Sequence, residues 1–401
     1  MSHHTGHETN SVTAGSFKFS SNLKGLFGAF VLIGGVVFLL GINQNPDRAW
    51  PNFLLNYFFF MALGLFGGFF TALQHVTNSY WSVTVRRVAE ALMSYLPFVL
   101  LLGVVLVLGR HHLYEWSHTE AVAHDELLHL KSAYLNVPFF LIRFFLFVSL
   151  WILLGFKMRK NSLNQDANGD HKFTLSNIKL ACVFLPIFAI SFSLISFDLL
   201  MSLEPHWFST IYGIYCFAGL FYSGLSLLAF LVIVGRKQGV FSEQLVNENH
   251  IHDIGKLMFA FNVFWAYIMF SQLMLQWYAN LPEETPYYIL RLNSGWLGYS
   301  GVLLLVHFIL PFFLLIRRGA KRNENWLKKM AILMLIAQWM DIYYLVMPVF
   351  FKAGPVFGWI EIGVFLGFLG LFGLSVGSFL SKVPAVPLKD PRMSQCLHHA
   401  Q

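Results

Sequence analysis

The 401-residue chain is 56% hydrophobic and only 12% charged, with 43 Phe, 15 Tyr and 11 Trp. A soluble domain carries about a quarter of its residues charged, so a globule of this length would lack the polar surface to face water, and the lipid bilayer is its expected solvent. The net charge of +7 does not point to nucleic acid, because Lys and Arg lie in short segments between apolar runs, where topology signals are placed.

Met1 to Phe19 is polar and His-bearing, with no short apolar core followed by a small-residue cleavage site. No signal peptide is read there, and the first span is the expected uncleaved targeting signal. Ten stretches then supply the roughly 20 mostly apolar residues that a helical span needs: 23–41, 51–76, 88–109, 137–156, 177–201, 209–234, 256–279, 296–317, 326–349 and 358–380. They predict an all-α polytopic membrane domain over 23–380, between a polar N-tail (1–22) and a C-tail (381–401). Pro97, Pro186 and Pro311 fall inside or near the ends of spans, which membrane bundles tolerate. The stretch 161–176 reads as a polar linker. No soluble domain, low-complexity tract or internal repeat stands out.

The basic residues set the orientation. Of 27 Lys and Arg, 21 fall in the N-tail, the segments after the second, fourth, sixth and eighth spans, and the C-tail. Arg317, Arg318, Lys321, Arg322, Lys328 and Lys329 crowd one of these segments. The alternate loops hold five (Arg48, Arg110, Lys131, Arg291, Lys352), and Arg143 is inside the fourth span. By the positive-inside rule, both termini are expected in the cytoplasm. The outer 110–136 segment carries His111, His112, His118, His124 and His129 among acids. It lacks the tight histidine pair with a catalytic Glu of a zinc helix and reads as a solvated or partner-facing loop, so no metal site is expected.

Ionisable side chains at membrane depth are costly and are functional candidates by default. Asp198 lies on the fifth span with Ser191 and Ser202 on its face, and Arg143 lies on the fourth. Both are toward the outer side and within reach of pairing, as a helix lock or as part of a site. Gln338, Asp341 and Tyr344, three residues apart, form one stripe on the ninth span. His307 is near mid-membrane, Glu361 near the outer end of the tenth span, and His75 and Glu90 near inner ends. Asp341, His307, Glu90, His75 and Glu361 together cover most depths, as a proton path requires, although Glu90, His75 and Glu361, each taken alone, read as polar groups near an interface. On the seventh span, Trp265, Gln272 and Gln276 share a face with Asn262 and Met269. They suit a quinone headgroup, or they glue helices together. His75 and His307 sit at different depths, which argues against a membrane haem. Cys182, Cys216 and Cys396 are far apart and in no cofactor motif, so this chain is expected to bind no cofactor covalently and to ligate no iron–sulfur cluster by itself.

The segment Ser196–Tyr215 (SFDLLMSLEPHWFSTIYGIY), with Gln276–Thr285 (QWYANLPEET), closely resembles the second large membrane subunit of alternative complex III. That complex is a bacterial quinol:cytochrome c, or high-potential acceptor, oxidoreductase, and the subunit belongs to the polysulfide-reductase membrane-subunit (NrfD-like) family. The resemblance covers essentially the whole chain. It implies two four-helix bundles with flanking helices, in the bacterial inner membrane. It also implies a related membrane subunit as partner, periplasmic iron–sulfur and multihaem cytochrome c subunits that carry the haem c and clusters, a terminal oxidase as a further partner, and menaquinone or another quinone as substrate. A quinol site in the family uses an Asp at the outer end of the fifth helix, where Asp198 falls. Asp198 would then be the proton acceptor, and Asp341, His307, Glu90 and His75 the relay. Arg143 departs from the pattern, because a His or Asp partner would be expected to take a quinol proton. The sister subunit is therefore the alternative holder of the quinol, leaving this chain to anchor the complex and provide a proton route. A secondary transporter, marked by broken helices in repeated halves, and a pure scaffold are the rival readings.

Overall fold

The computed structural model describes residues 15–293 and 295–399, so most of the expected N-tail (1–14) and the end of the C-tail lie outside the described residues. The chain is 80% helical, without a strand among the described residues. Among the described residues, ten helices are long and apolar enough to cross a membrane: α1 (Ser21–Gln44), α2 (Pro46–Val76), α3 (Val83–Leu108), α4 (Val137–Asn168), α5 (Lys172–Leu203), α6 (Tyr212–Lys237), α7 (Glu248–Ala279), α8 (Leu297–Leu315), α9 (Glu324–Phe350) and α10 (Trp359–Leu380). Each expected span falls on one of them.

The helices extend further than the apolar runs. Pro46 opens α2 at its first turn, a position where the missing N–H costs nothing. The 161–176 stretch is not a linker: α4 continues to Asn168, Gly169 caps it in the left-handed region at φ +68°, and α5 restarts at Lys172. Polar side chains hold this hairpin. Asn161 donates to Asn177 (2.9 Å) and Ser176 (3.0 Å), and Gln165 donates to Thr174 (2.7 Å). A polar run beyond the apolar zone reads as a linker in a sequence, yet it stays helical where two such runs face each other.

Helix α2 is the hub, with nearly all of its side chains buried. Helices α2–α5 pack as one four-helix bundle and α6–α9 as a second. The two join where α2 meets α6 and α9 and where α5 meets α6. Helices α1 and α10 form the tightest pair and flank α2. Their backbones touch at Gly34 and Gly367, where a Cβ on Gly34 would lie 2.2 Å from the Gly367 Cα. Small residues at such crossings let dispersion forces act between helices that lipid cannot push together. Gly34→Val is therefore expected to prise α1 from α10. The check is a cysteine cross-link between the two helices, which should form in the parent protein and fail in the variant.

Both described ends lie on one face. Phe17 donates its backbone N–H to Leu380, and Ala385 to Gly15. We call this the terminal face. On the opposite face, the 110–136 segment folds into short helices that lie over the α5–α6 turn. There Tyr114 donates to the Leu199 carbonyl (3.1 Å), and Lys131 donates to the Pro205 carbonyl. Burial lowers the Lys131 pKa from its ordinary value. His206 meets Asp125 at 2.6 Å.

Helix α8 holds an irregularity with no signal in composition: residues Leu305–Ile309 wind as a π-turn with His307 at its centre. Such turns occur often at functional sites.

Candidate functional site

Five of the six buried acids among the described residues face a cation within ion-pair distance. Glu90 meets Arg87 at 3.0 Å and Arg86 at 3.5 Å, Asp198 meets Arg143, and Asp253 meets Lys256 at 2.7 Å and His399 at 2.6 Å. Glu361 meets Arg48, and Asp390 meets Arg86, both at 2.6 Å. Asp341 is the exception. Its carboxylate is held by neutral donors from three helices. Tyr215 (α6) donates to Oδ1, and Trp265 Nε1 (α7) and Gln338 Nε2 (α9) donate to Oδ2 at 3.2 and 3.1 Å. Protonating a carboxylate that faces a cation breaks an ion pair; one facing neutral donors can exchange a proton without that loss.

The network continues to His307, whose Nε2 lies 3.0 Å from Gln338 Oε1. The imidazole is sandwiched between Trp265 (centroids 3.6 Å apart, planes at 21°) and Tyr222 (4.3 Å, 17°). The Tyr222 hydroxyl donates to the His307 carbonyl at 3.1 Å. Gly219 leaves room for the Gln338 carboxamide, since a Cβ there would lie 2.5 Å from Nε2. A void of about 10 Å³ borders Gln338, Asp341 and Ser223, close to the minimum that one water needs.

Tyr215 and Trp265 also form the wall of a cavity of about 290 Å³ between α7, α8 and α9, together with Met269, Gln272, Tyr287 and Tyr344. Its roof, on the opposite face, is the short helix Pro286–Asn293. Arg291 pins that roof: its guanidinium meets Glu204 at 2.7 Å, donates to the carbonyls of Tyr287 and Leu345, and lies 3.5 Å from the Tyr287 ring centroid. Burial alone would lower its pKa, but Tyr287 and Glu204 outweigh it and hold Arg291 above its ordinary value. Tyr287 in turn stacks on Trp207 at 3.9 Å. Trp207 Nε1 donates to Gln276 at 3.3 Å, so the two segments that carry the family resemblance meet over this cavity.

The predicted residues thus separate. Asp341, His307 and Trp265 come together, and Gln272 lines the adjoining cavity. Gln276 binds Trp207. Asp198 and Arg143 form a two-pronged pair, both bonds 2.8 Å, with the guanidinium stacked on Tyr134 and Phe139. Glu361 accepts from Arg48, Asn52 and the Gly358 N–H, clamping the start of α10 to α2. Glu90 belongs to a terminal-face cluster. Arg86 and Arg87, counted as loop charges in the sequence, lie in the first turns of α3 and are fully buried. Arg87 also meets Asp166 at 2.8 Å, and Arg86 and Arg392 converge on Asp390. Burial would raise the Asp390 carboxyl, but these guanidiniums hold it well below the usual carboxylate range. His75 lies beside Asn177 at 3.4 Å. Among the described residues, no chain of hydrogen bonds joins Glu90 and His75 to the Asp341–His307 network.

Sequence reasoning missed Tyr215 and Tyr222 as members of the site. Tyr215 ends the first resembling segment, and both tyrosines lie on α6 seven residues apart, on one face. It also missed the Glu204–Arg291 lock, because Arg291 was read only as a loop charge. Cys182, Cys216 and Cys396 are all free thiols, on α5, on α6 and in the C-tail. No protein-family model matches the chain, and no curated protein matches it.

Proposed function

We propose that this chain is a multi-pass subunit of a bacterial respiratory quinol:acceptor oxidoreductase, similar to the second large membrane subunit of alternative complex III. In this reading it sits in the cytoplasmic membrane with its terminal face inside and the Asp341 cavity in the outer half. The observation that carries the reading is Asp341, a buried carboxylate with no cation partner among the described residues, hydrogen-bonded to the Tyr215 and Trp265 that wall an aromatic cavity. The resemblance of 196–215 and 276–285, and the bias of Lys and Arg to the terminal face, add to it.

Oxidising one quinol releases two electrons and two protons. The electrons go to iron–sulfur or haem c centres, which partner subunits must supply because this chain has no cysteine set to hold a cluster. The protons need acceptors. General-base work requires a group within hydrogen-bond reach of the proton it takes. Here the Tyr215 hydroxyl is at the cavity wall and donates to Asp341 behind it, so a proton reaches the carboxylate through Tyr215, and Gln338 and His307 continue the network inward. Asp198 is a weaker base candidate than the resemblance implies, since Arg143 occupies both of its oxygens. A pair of that kind fits the anchoring role.

The test is purification of the chain from native membranes in mild detergent. Co-purifying c-type haem and iron–sulfur subunits, with haem reduced on adding a quinol, would support the reading. A colourless, solitary protein would overturn it and turn attention to transport.

A further inference from the structure

The cavity beside Asp341 is closed toward the opposite face. The helix Pro286–Asn293 covers it, and the Arg291–Glu204 pair and the Tyr287–Trp207 stack hold that cover down. It is open sideways. Leu297, Gly301 and Leu304 of α8 line the cavity and are also exposed on the lipid-facing surface, Leu297 at 58% and Leu304 at 38%. A Cβ on Gly301 would meet no atom within 4 Å, so this rim has space where a side chain would stand. Gly301 is four residues into α8, about 6 Å below its start, within the apolar span. Inside, Gln272 is only 4% exposed, and its carboxamide oxygen has no hydrogen-bond partner among the described residues. A buried unpaired polar atom is costly, and a ligand group would satisfy this one.

We propose that this slot is a lateral port for an isoprenoid quinol, with the head against Gln272 and the tail leaving over Gly301 into the lipid. The lining favours that class over a small polar solute. The entrance faces hydrocarbon, the walls are aromatic and aliphatic, and one unpaired carboxamide oxygen marks the polar end. That oxygen accepts from a quinol hydroxyl, so the reduced form is the one that fits. The site is in the second bundle, away from the Asp198 position that the resemblance implies. The inference rests on the proposed quinol chemistry and specifies where the quinol binds.

The experiment compares two ligands, both kept as quinols under anaerobic reducing conditions, on the full-length chain with its co-purifying subunits in nanodiscs: menaquinone-4, with an isoprenoid tail, and menadione, with the same ring and no tail. Gly301→Leu puts a side chain in the rim, where the fold has room. It is expected to weaken menaquinone-4 about tenfold and leave menadione within about twofold, because only the tail passes that point. Gln272→Leu removes the head contact and is expected to weaken both by about tenfold. Gly28→Leu, on a lipid-facing position of α1 where a Cβ also meets nothing, should change neither. Leu304→Trp blocks the same rim from a second position if Gly301→Leu folds poorly. Menaquinone-4 binding at parental affinity in both rim variants, or both ligands unaffected by Gln272→Leu, overturns the port. If haem is still reduced by quinol in that case, the respiratory reading stands and only the port is lost. If no haem or cluster co-purifies and neither ligand binds, both fall.

Discussion

Asp341→Asn should lower quinol-dependent reduction of the acceptor by about 10²- to 10⁴-fold, the range typical of a lost general base, while the complex still assembles. The substitution keeps size and shape. With the amide oxygen in the Oδ2 position it still accepts from Trp265 Nε1 and Gln338 Nε2, and the amide nitrogen donates to the Tyr215 hydroxyl, whose own O–H then loses its acceptor. One lost buried hydrogen bond costs about 1–3 kcal/mol, which a bundle of this size should survive. The measurement is turnover in isolated membranes, normalised to haem content so that assembly and catalysis separate. Near-parental turnover per haem would remove Asp341 from the proton path. Loss of haem along with turnover would make Asp341 a folding residue, and Gln338→Leu, which cuts the link to His307 but leaves the carboxylate, would then decide whether the network matters beyond packing.

The sequence shows the ten spans because the bilayer imposes a strong requirement: every backbone polar group must be satisfied within the segment, and about 20 apolar residues are needed to cross. It shows Asp341 and His307 as candidates for the same reason, since a polar group at that depth needs an explanation. What it does not show is partnership. Asp198 and Asp341 look alike in one dimension, both an acid on an apolar helix. The fold separates them, because Asp198 finds Arg143 one helix away while Asp341 finds only tyrosine, indole and carboxamide. Glu90 and Glu361 read as interfacial acids, yet each is fixed by arginines that the sequence spends on topology: Arg86 and Arg87 in the first turns of α3, and Arg48 before the apolar part of α2. The π-turn at His307 has no compositional mark at all, since one extra residue in a helical turn changes register and not hydropathy. The first bundle has an irregularity of a different kind, a 3₁₀ turn at Met93–Tyr95 within α3, while α4 runs unbroken from Val137 to Asn168.

Arg143 and Asp198 give the sharpest separation between helix lock and active site. Arg143→Leu alone is expected to destabilise the protein by about 3–5 kcal/mol, because it strands a buried carboxylate. It also removes the guanidinium from between Tyr134 and Phe139, and its bond to the Tyr134 carbonyl at 3.1 Å. The double variant Arg143→Leu/Asp198→Leu removes both charges, and replacing a buried pair by apolar groups is often close to neutral. It should recover most of the lost stability, giving a large coupling energy in the double-mutant cycle. Thermal unfolding of the four proteins in the same nanodiscs measures that coupling. If the pair only locks α4 to α5, the double variant should also keep most of its quinol-dependent turnover. A double variant that is stable, assembled and inactive would contradict this: Asp198 would then be the proton acceptor, and the chemistry would belong to the first bundle rather than to the Asp341 cavity.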